Sequence, residues 1–199
     1  MQMNRAAAEH TLEKALIANP GPWGDHSRYT ALACERIAHK CPDLSPEDAY
    51  CYGLLHDIGR HAGVTGEKHL IDGYRYCMSC GWEKAAQICI THAFMIQNID
   101  SSIGRFDVLD GEYQFMKAFI NGVKYDDYDL LVQLCDALAL PSGFCLLEKR
   151  FVDVALRYGF HPAMLPRWKK TLEIKEYFER KAGCSIYMLL DGVAENCLR

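Results

Sequence analysis

Apolar residues return every third or fourth position along almost the whole chain, and β-branched residues rarely alternate with polar ones. That rhythm is helical. Residues 3–18 read as an amphipathic opening helix that stops at NPGPWG, and a second helix runs from about His26 to Lys40. The third, LSPEDAYCYGLLHD, opens on Ser45 as cap, Pro46 in the first helical position, and Glu47 and Asp48 in the first turn. Each of these is favourable at a helix N-terminus. Further helices are expected near 67–80, 82–95, 111–121, 126–140, 143–158 and 163–182. Between them, QNIDSSIGRFDVLDGE at 97–112 reads as one longer loop, the kind of segment that often forms a lid or binding loop. With no repeat, low-complexity tract or linker, the pattern predicts a single all-α domain, a helical bundle over residues 1–199.

One stretch does not fit a purely structural helix. In YGLLHDIGRHAG the apolar run Tyr52-Gly53-Leu54-Leu55 ends on His56 and Asp57, and Gly59 and Gly63 are expected to break the chain open. Buried charge is costly unless it is paired or bound to metal. Adjacent helical residues point about 100° apart, yet both side chains can reach one cation beside a helix end. Imidazole nitrogen with carboxylate oxygen suits zinc, iron, manganese, nickel or cobalt better than calcium. Four residues elsewhere fit as further ligands. His26 opens the second helix after a Pro/Gly-rich turn, and His69 follows GVTGEKH. His92 sits late on the apolar AQICITHAF, and Asp136 interrupts LLVQLCDALAL, where an unpaired carboxylate would be expensive.

Composition narrows the reading. The 199 residues are half hydrophobic, about a quarter charged, and carry a formal net charge of -4. That is ordinary for a globular domain and gives no reason to expect long nucleic acid as a partner. Ten cysteines are many, but they sit singly among apolar neighbours, as Cys34, Cys51, Cys89 and Cys135 do. MQMNRAAAEHTLEKAL lacks the apolar core of a signal peptide. Free core thiols in a reducing cytoplasm are therefore expected. CMSC, with Cys77 and Cys80, has no second pair to complete a zinc site. No run is long enough for a membrane span.

The order His26, His56-Asp57, Asp136, with HDIG at 56–59, resembles the HD-domain superfamily of metal-dependent phosphohydrolases over roughly residues 24–140. The added His69 and His92 resemble its two-metal branch. The resemblance implies an all-α core of the HD type, with residues 141–199 as extra C-terminal helices. It implies that His26, His56, Asp57 and Asp136 hold one divalent transition ion (Fe, Mn, Co, Ni or Zn), and that Asp57 is shared with a second held by His69 and His92. His56 and Asp57 would be catalytic. The implied activity is hydrolysis of a small phosphate ester, a nucleotide or dinucleoside polyphosphate, through a metal-activated water. The size and dinuclear pattern resemble bacterial HD enzymes that split dinucleoside tetraphosphates symmetrically. Arg60 stands where many members carry lysine, and can still bind phosphate. Ala93 follows His92 where the cyclic-dinucleotide HD-GYP type has another histidine. Two rivals stay open: an HD-type diiron oxygenase using the same ligands, and a non-catalytic metal-binding module that senses a ligand.

Blander readings stand beside these. His56 and Asp57 can form a structural pair, His26 can cap its helix, Asp136 can be a satisfied core acid, and His69 or His92 can lie outside any site. Arg60, His61, Lys68 and Arg105 are the candidate substrate contacts, though each also reads as an ordinary surface group. Tyr113, Phe115 and Phe119 follow helical spacing and read as core rather than a base-stacking platform. Metal identity, substrate and oligomeric state are left open.

Overall fold

The computed structural model describes residues 3–197, with the side chain of Cys197 left aside. It is all-α. In chain order come α1 (Arg5–Ala18), α2 (Trp23–Ala38), α3 (Pro46–Leu55), a 3-10 turn (Ile58–Ala62), α4 (Lys68–Ser79) and α5 (Glu83–Thr91). A second 3-10 turn (Ile99–Ser101), α6 (Asp110–Gly122) and α7 (Asp127–Leu138) follow. A two-residue hairpin, β1 (Ala139–Leu140) with β2 (Gly143–Phe144), then leads to α8 (Leu147–Tyr158), α9 (Met164–Ala182), a third 3-10 turn (Ile186–Leu189) and α10 (Val193–Cys197). No helix among the described residues is long and apolar enough to cross a membrane.

Local chemistry sets these boundaries. Asn4 accepts from the Ala7 amide at 2.9 Å and Ser45 from the Asp48 amide at 3.2 Å, each satisfying a donor left over in a first turn. Asp126 and Asp129 cap α7 reciprocally, and the Asp129 carboxylate also takes Lys84, Gln87 and Thr91, tying α7 to α5. Several predicted boundaries shift, and the helix expected over 82–95 already ends at Thr91, with His92 as its C-cap. The second helix starts at Trp23, because prolines are well placed at a helix start, so His26 lies inside its first turn rather than opening it. The helix expected over 126–140 ends at Leu138, and the one expected over 143–158 starts at Leu147. Pro141 cannot donate to a helix and pushes Leu140 into extended backbone, and the hairpin takes the space between. The expected opening after Asp57 is instead the packed 3-10 turn, with Ile58 and Gly59 buried.

The core is built from three groups of side chains. One joins α2 and α7 to the C-terminal elements through Cys34, Ile37, Leu131, Leu138, Ile174 and Phe178. A second lies between α1, α3 and α5, and a third between α4, α5 and α6, where Phe119 packs beside Tyr74 and Tyr113 beside Phe106; Phe115, expected in the core, touches Tyr74 from the rim and is exposed. Two glycines allow the close approaches on which the site depends. At Gly53 a Cβ would come within 2.9 Å of the Ala31 backbone, so α3 lies directly on α2. At Gly59 a Cβ would lie 1.9 Å from the His69 carbonyl oxygen, so the 3-10 turn lies directly on α4.

Candidate metal centre

Five helix ends converge beside these contacts. His26 comes from the first turn of α2, His56 from the C-cap of α3, and Asp57 from the next position. His69 comes from the first turn of α4, His92 from the C-cap of α5, and Asp136 from the last turn of α7. The ends of α3 and α5 present the partly negative pole of a helix, which favours a cation. His26, His56 and Asp57 offer ligand atoms within 4.8 Å of one another, as do Asp57, His69 and His92, with Asp57 common to both groups. Asp136 joins the first group, its Oδ1 lying 2.9 Å from His26 Nε2 and 4.0 Å from His56 Nε2. The structure thus brings together all six sequence-predicted ligands.

The hydrogen bonds orient the rings. Nδ1 of His56, His69 and His92 lies 2.7, 2.6 and 3.1 Å from the carbonyl oxygens of Gly53, Gly66 and Ile88. A carbonyl only accepts, so each Nδ1 carries the proton, and a neutral ring then aims its Nε2 lone pair inward, the usual arrangement of a metal-ligating histidine. Burial, helped by the neighbouring His56, pushes His92 down to about 4, and burial also lowers His56, so both are neutral at pH 7. Burial opposes the charge of Asp57, but Arg60, His56 and His69 outweigh it and hold the carboxyl well below its usual range. Burial likewise opposes Asp136, which His26, His56 and Arg150 hold ionised.

These groups fit a cation better than they fit one another. His56 Nε2 and Asp57 Oδ1 are buried with no hydrogen-bond partner among the described residues. His69 Nε2 lies 3.1 Å, and His92 Nε2 3.7 Å, from Asp57 Oδ1. With its proton on Nδ1, His92 Nε2 faces that oxygen lone pair to lone pair. Each buried unsatisfied acceptor costs about 1–3 kcal/mol, and a shared cation would remove that cost.

Of the predicted substrate contacts, only Arg60 lies at the cluster. Its Nε donates to Asp57 Oδ2 at 2.6 Å, and its Nη2 lies 3.5 Å from His69 Nε2. His61 packs its ring on Tyr76, the Lys68 amide donates to Asp107 Oδ1 at 2.9 Å, and the side chain of Arg105 is 81% exposed beside Asp107. Two other arginines come from the C-terminal helices. Arg150 on α8 lies 3.9 Å from Asp136 Oδ1. Arg167 on α9 donates to the carbonyls of Ala93, at 2.8 Å, and Ser101, at 3.2 Å, fastening α9 to the turn after His92. Both had a signal in the sequence. Arg167 falls on the buried stripe Met164, Thr171, Ile174, Phe178, and Arg150 falls one turn after Leu147 on α8.

The histidines and carboxylates are thus gathered at converging helix ends, and part of the chain is similar to a known helical domain. The family model of the HDOD domain matches residues 5–76, a little over a third of the chain. The matched part runs from α1 into α4 and includes His26, His56, Asp57 and His69, but stops short of His92 and Asp136. No curated protein and no solved structure matches the chain.

Proposed function

We infer that this protein is a metal-dependent phosphohydrolase acting in the cytoplasm on a small phosphorylated substrate of the nucleotide class. The observation that carries the reading is the pair of buried acceptors without partners, His56 Nε2 and Asp57 Oδ1, inside a ring of inward-facing ligands. His26, His56, Asp57 and Asp136 would hold one ion, and Asp57, His69 and His92 a second. Mixed imidazole and carboxylate ligands suit Fe, Mn, Co, Ni or Zn. Such ions, when bound, lower the pKa of a coordinated water and neutralise phosphoryl oxygens. The chain's own residues supply the rest. Backbone carbonyls keep the histidine protons on Nδ1, Asp57 stays ionised, and the surrounding core excludes bulk water. Arg60 has a side chain 31% exposed, so it can leave Asp57 Oδ2 for a phosphoryl oxygen.

The similarity to the HDOD domain favours a second reading, a non-catalytic HD-related output module that keeps the cluster for structure or sensing. Elemental analysis of wild type, Asp57→Ala and His92→Ala, purified identically, separates the readings when combined with a panel of mononucleotides, cyclic nucleotides and dinucleoside polyphosphates. The enzyme reading expects bound transition metal in wild type, its loss in Asp57→Ala, and about one retained ion with little turnover in His92→Ala. Metal without turnover of any panel member supports the output module, and O₂ consumption with an organic substrate supports the diiron oxygenase. Equal, negligible metal in wild type and Asp57→Ala would sink the metal reading altogether.

A further inference from the structure

We propose that Arg150 is the anion-recognition residue of the His/Asp cluster, presented by α8 beside Asp136 to take an oxyanion of the ligand, a phosphoryl group. This rests on the metal-centre reading and adds the element that meets the substrate. α8 reaches the cluster through Arg150, near its start, whose guanidinium stands 3.9 Å from Asp136 Oδ1. Other concavities, such as those lined by Lys175, Glu179 and Ser185 or by Glu9, Leu12 and Tyr50, take no residue from the cluster.

Arg150 has donors to spare. Its side chain is only 20% exposed, yet its nearest carboxylates, Asp153 and Asp136, stand off at 3.6 and 3.9 Å. Among the described residues its guanidinium makes no hydrogen bond, although it carries five N–H groups in a fork that matches an oxyanion bidentately. Arg167 is the contrast, since two backbone carbonyls already occupy it. Arg150 is also not the nearest group to Asp136, since His26 Nε2 stands closer, at 2.9 Å. Charge points the same way. Asp57 and Asp136 are balanced by Arg60 and Arg150, so any divalent ion leaves the site net positive and calls for an anion. Leu147 is the one fully buried residue of α8, while Val152 and Leu156 are 57% and 82% exposed.

The test is calorimetric titration of inorganic phosphate and of pyrophosphate into the metal-loaded protein, as wild type, Arg150→Gln and Arg150→Lys. Metal content and circular dichroism are measured on the same samples. Arg150→Gln is expected to keep wild-type metal and helicity and to bind phosphate about 10- to 100-fold more weakly, the loss of one charge-assisted contact. Arg150→Lys, which keeps the charge but not the fork, should fall between and carries the test if Arg150→Gln does not fold. Phosphate affinity unchanged in both variants overturns the assignment and leaves the metal reading intact. So does loss of metal in Arg150→Gln with phosphate affinity per loaded site unchanged, because Arg150 would then be a counter-charge to Asp136. Wild type without metal sinks the metal reading instead. Arg150 is then judged on the metal-free protein, where weaker phosphate binding in Arg150→Gln supports it and equal binding overturns it.

Discussion

Adding one methyl group at Gly59 should disturb both the fold and the centre. A Cβ there would sit 1.9 Å from the His69 carbonyl oxygen and 2.4 Å from the Gly73 nitrogen. Both are backbone atoms in α4, so no side chain can rotate away. Non-bonded carbon is comfortable near 3.5 Å, and reaching even the 3.0 Å floor of real Cβ contacts requires the 3-10 turn and α4 to part by about 1 Å. Overpacking of this kind costs about 3 kcal/mol when the backbone must give. In a chain of this length that lowers the melting temperature by about 6–12 °C. The same separation would widen the 3.1 Å gap between Asp57 and His69. Thermal unfolding of Gly59→Ala followed by circular dichroism measures the effect, with Gly111→Ala as control. Gly111 lies in α6 with nothing within 4 Å of its would-be Cβ, so alanine there should be neutral or stabilise by up to about 1 kcal/mol. A Gly59→Ala protein melting within 2 °C of wild type, on the order of 1 kcal/mol, would refute the close-approach argument.

Two further outcomes are expected. Phe178 is fully buried between α9, α2 and α7, so Phe178→Ala should cost about 3–5 kcal/mol and move one single calorimetric transition; two transitions, only one of them moved, would mean that the C-terminal helices fold as a separate unit. Burial opposes the charge of Glu179, but Lys175, the Ile186 amide and Ser185 hold its carboxyl below the ordinary 4.5; because the folded value is depressed, its stabilisation is complete above about pH 4.5 and fades as pH falls through the folded value. Glu179→Gln should therefore unfold about 1 kcal/mol more easily at pH 7, with the gap to wild type closing below pH 4 in chemical denaturation, and a gap independent of pH would count against it.

The helices themselves were readable because their period and caps are local. Ser45-Pro46 marks the start of α3, and 163–182 matches α9 within one residue. The six candidate ligands stood out for a different reason: each is a polar group placed where burial would be costly. What escaped was either a competing local signal or a relation between distant segments. Pro20 and Pro22 read as breakers although proline also starts helices, which hid the first turn of α2 and the position of His26 in it. Pro141 followed by Ser142 and Gly143 makes a hairpin too short to show alternation. The short segments Ile186–Leu189 and Val193–Cys197 hold too few turns for a period. His61, Lys68 and Arg105 lie nearer His56 in sequence, whereas Arg150 and Arg167 arrive from helices nearly a hundred residues or more away. Only their place on apolar stripes betrays them, and that clue has no meaning until one knows which surface the stripe covers.

The depth of the centre has a consequence for how it would be filled. The side chains of His26, His56, Asp57, His69 and His92 are 10% exposed or less, and Arg60 already occupies one oxygen of Asp57. An ion arriving from solution would meet Asp136, the most exposed of the six at 22%, and would have to shed most of its hydration shell to reach the others. Entry and exit would both be slow. Ions offered to the finished protein would exchange over long incubations, and a chelator would act mainly on molecules caught opening. The occupant found after purification would then record which metal was plentiful while the chain was folding, so growth medium, rather than assay buffer, becomes the variable that decides which chemistry is observed.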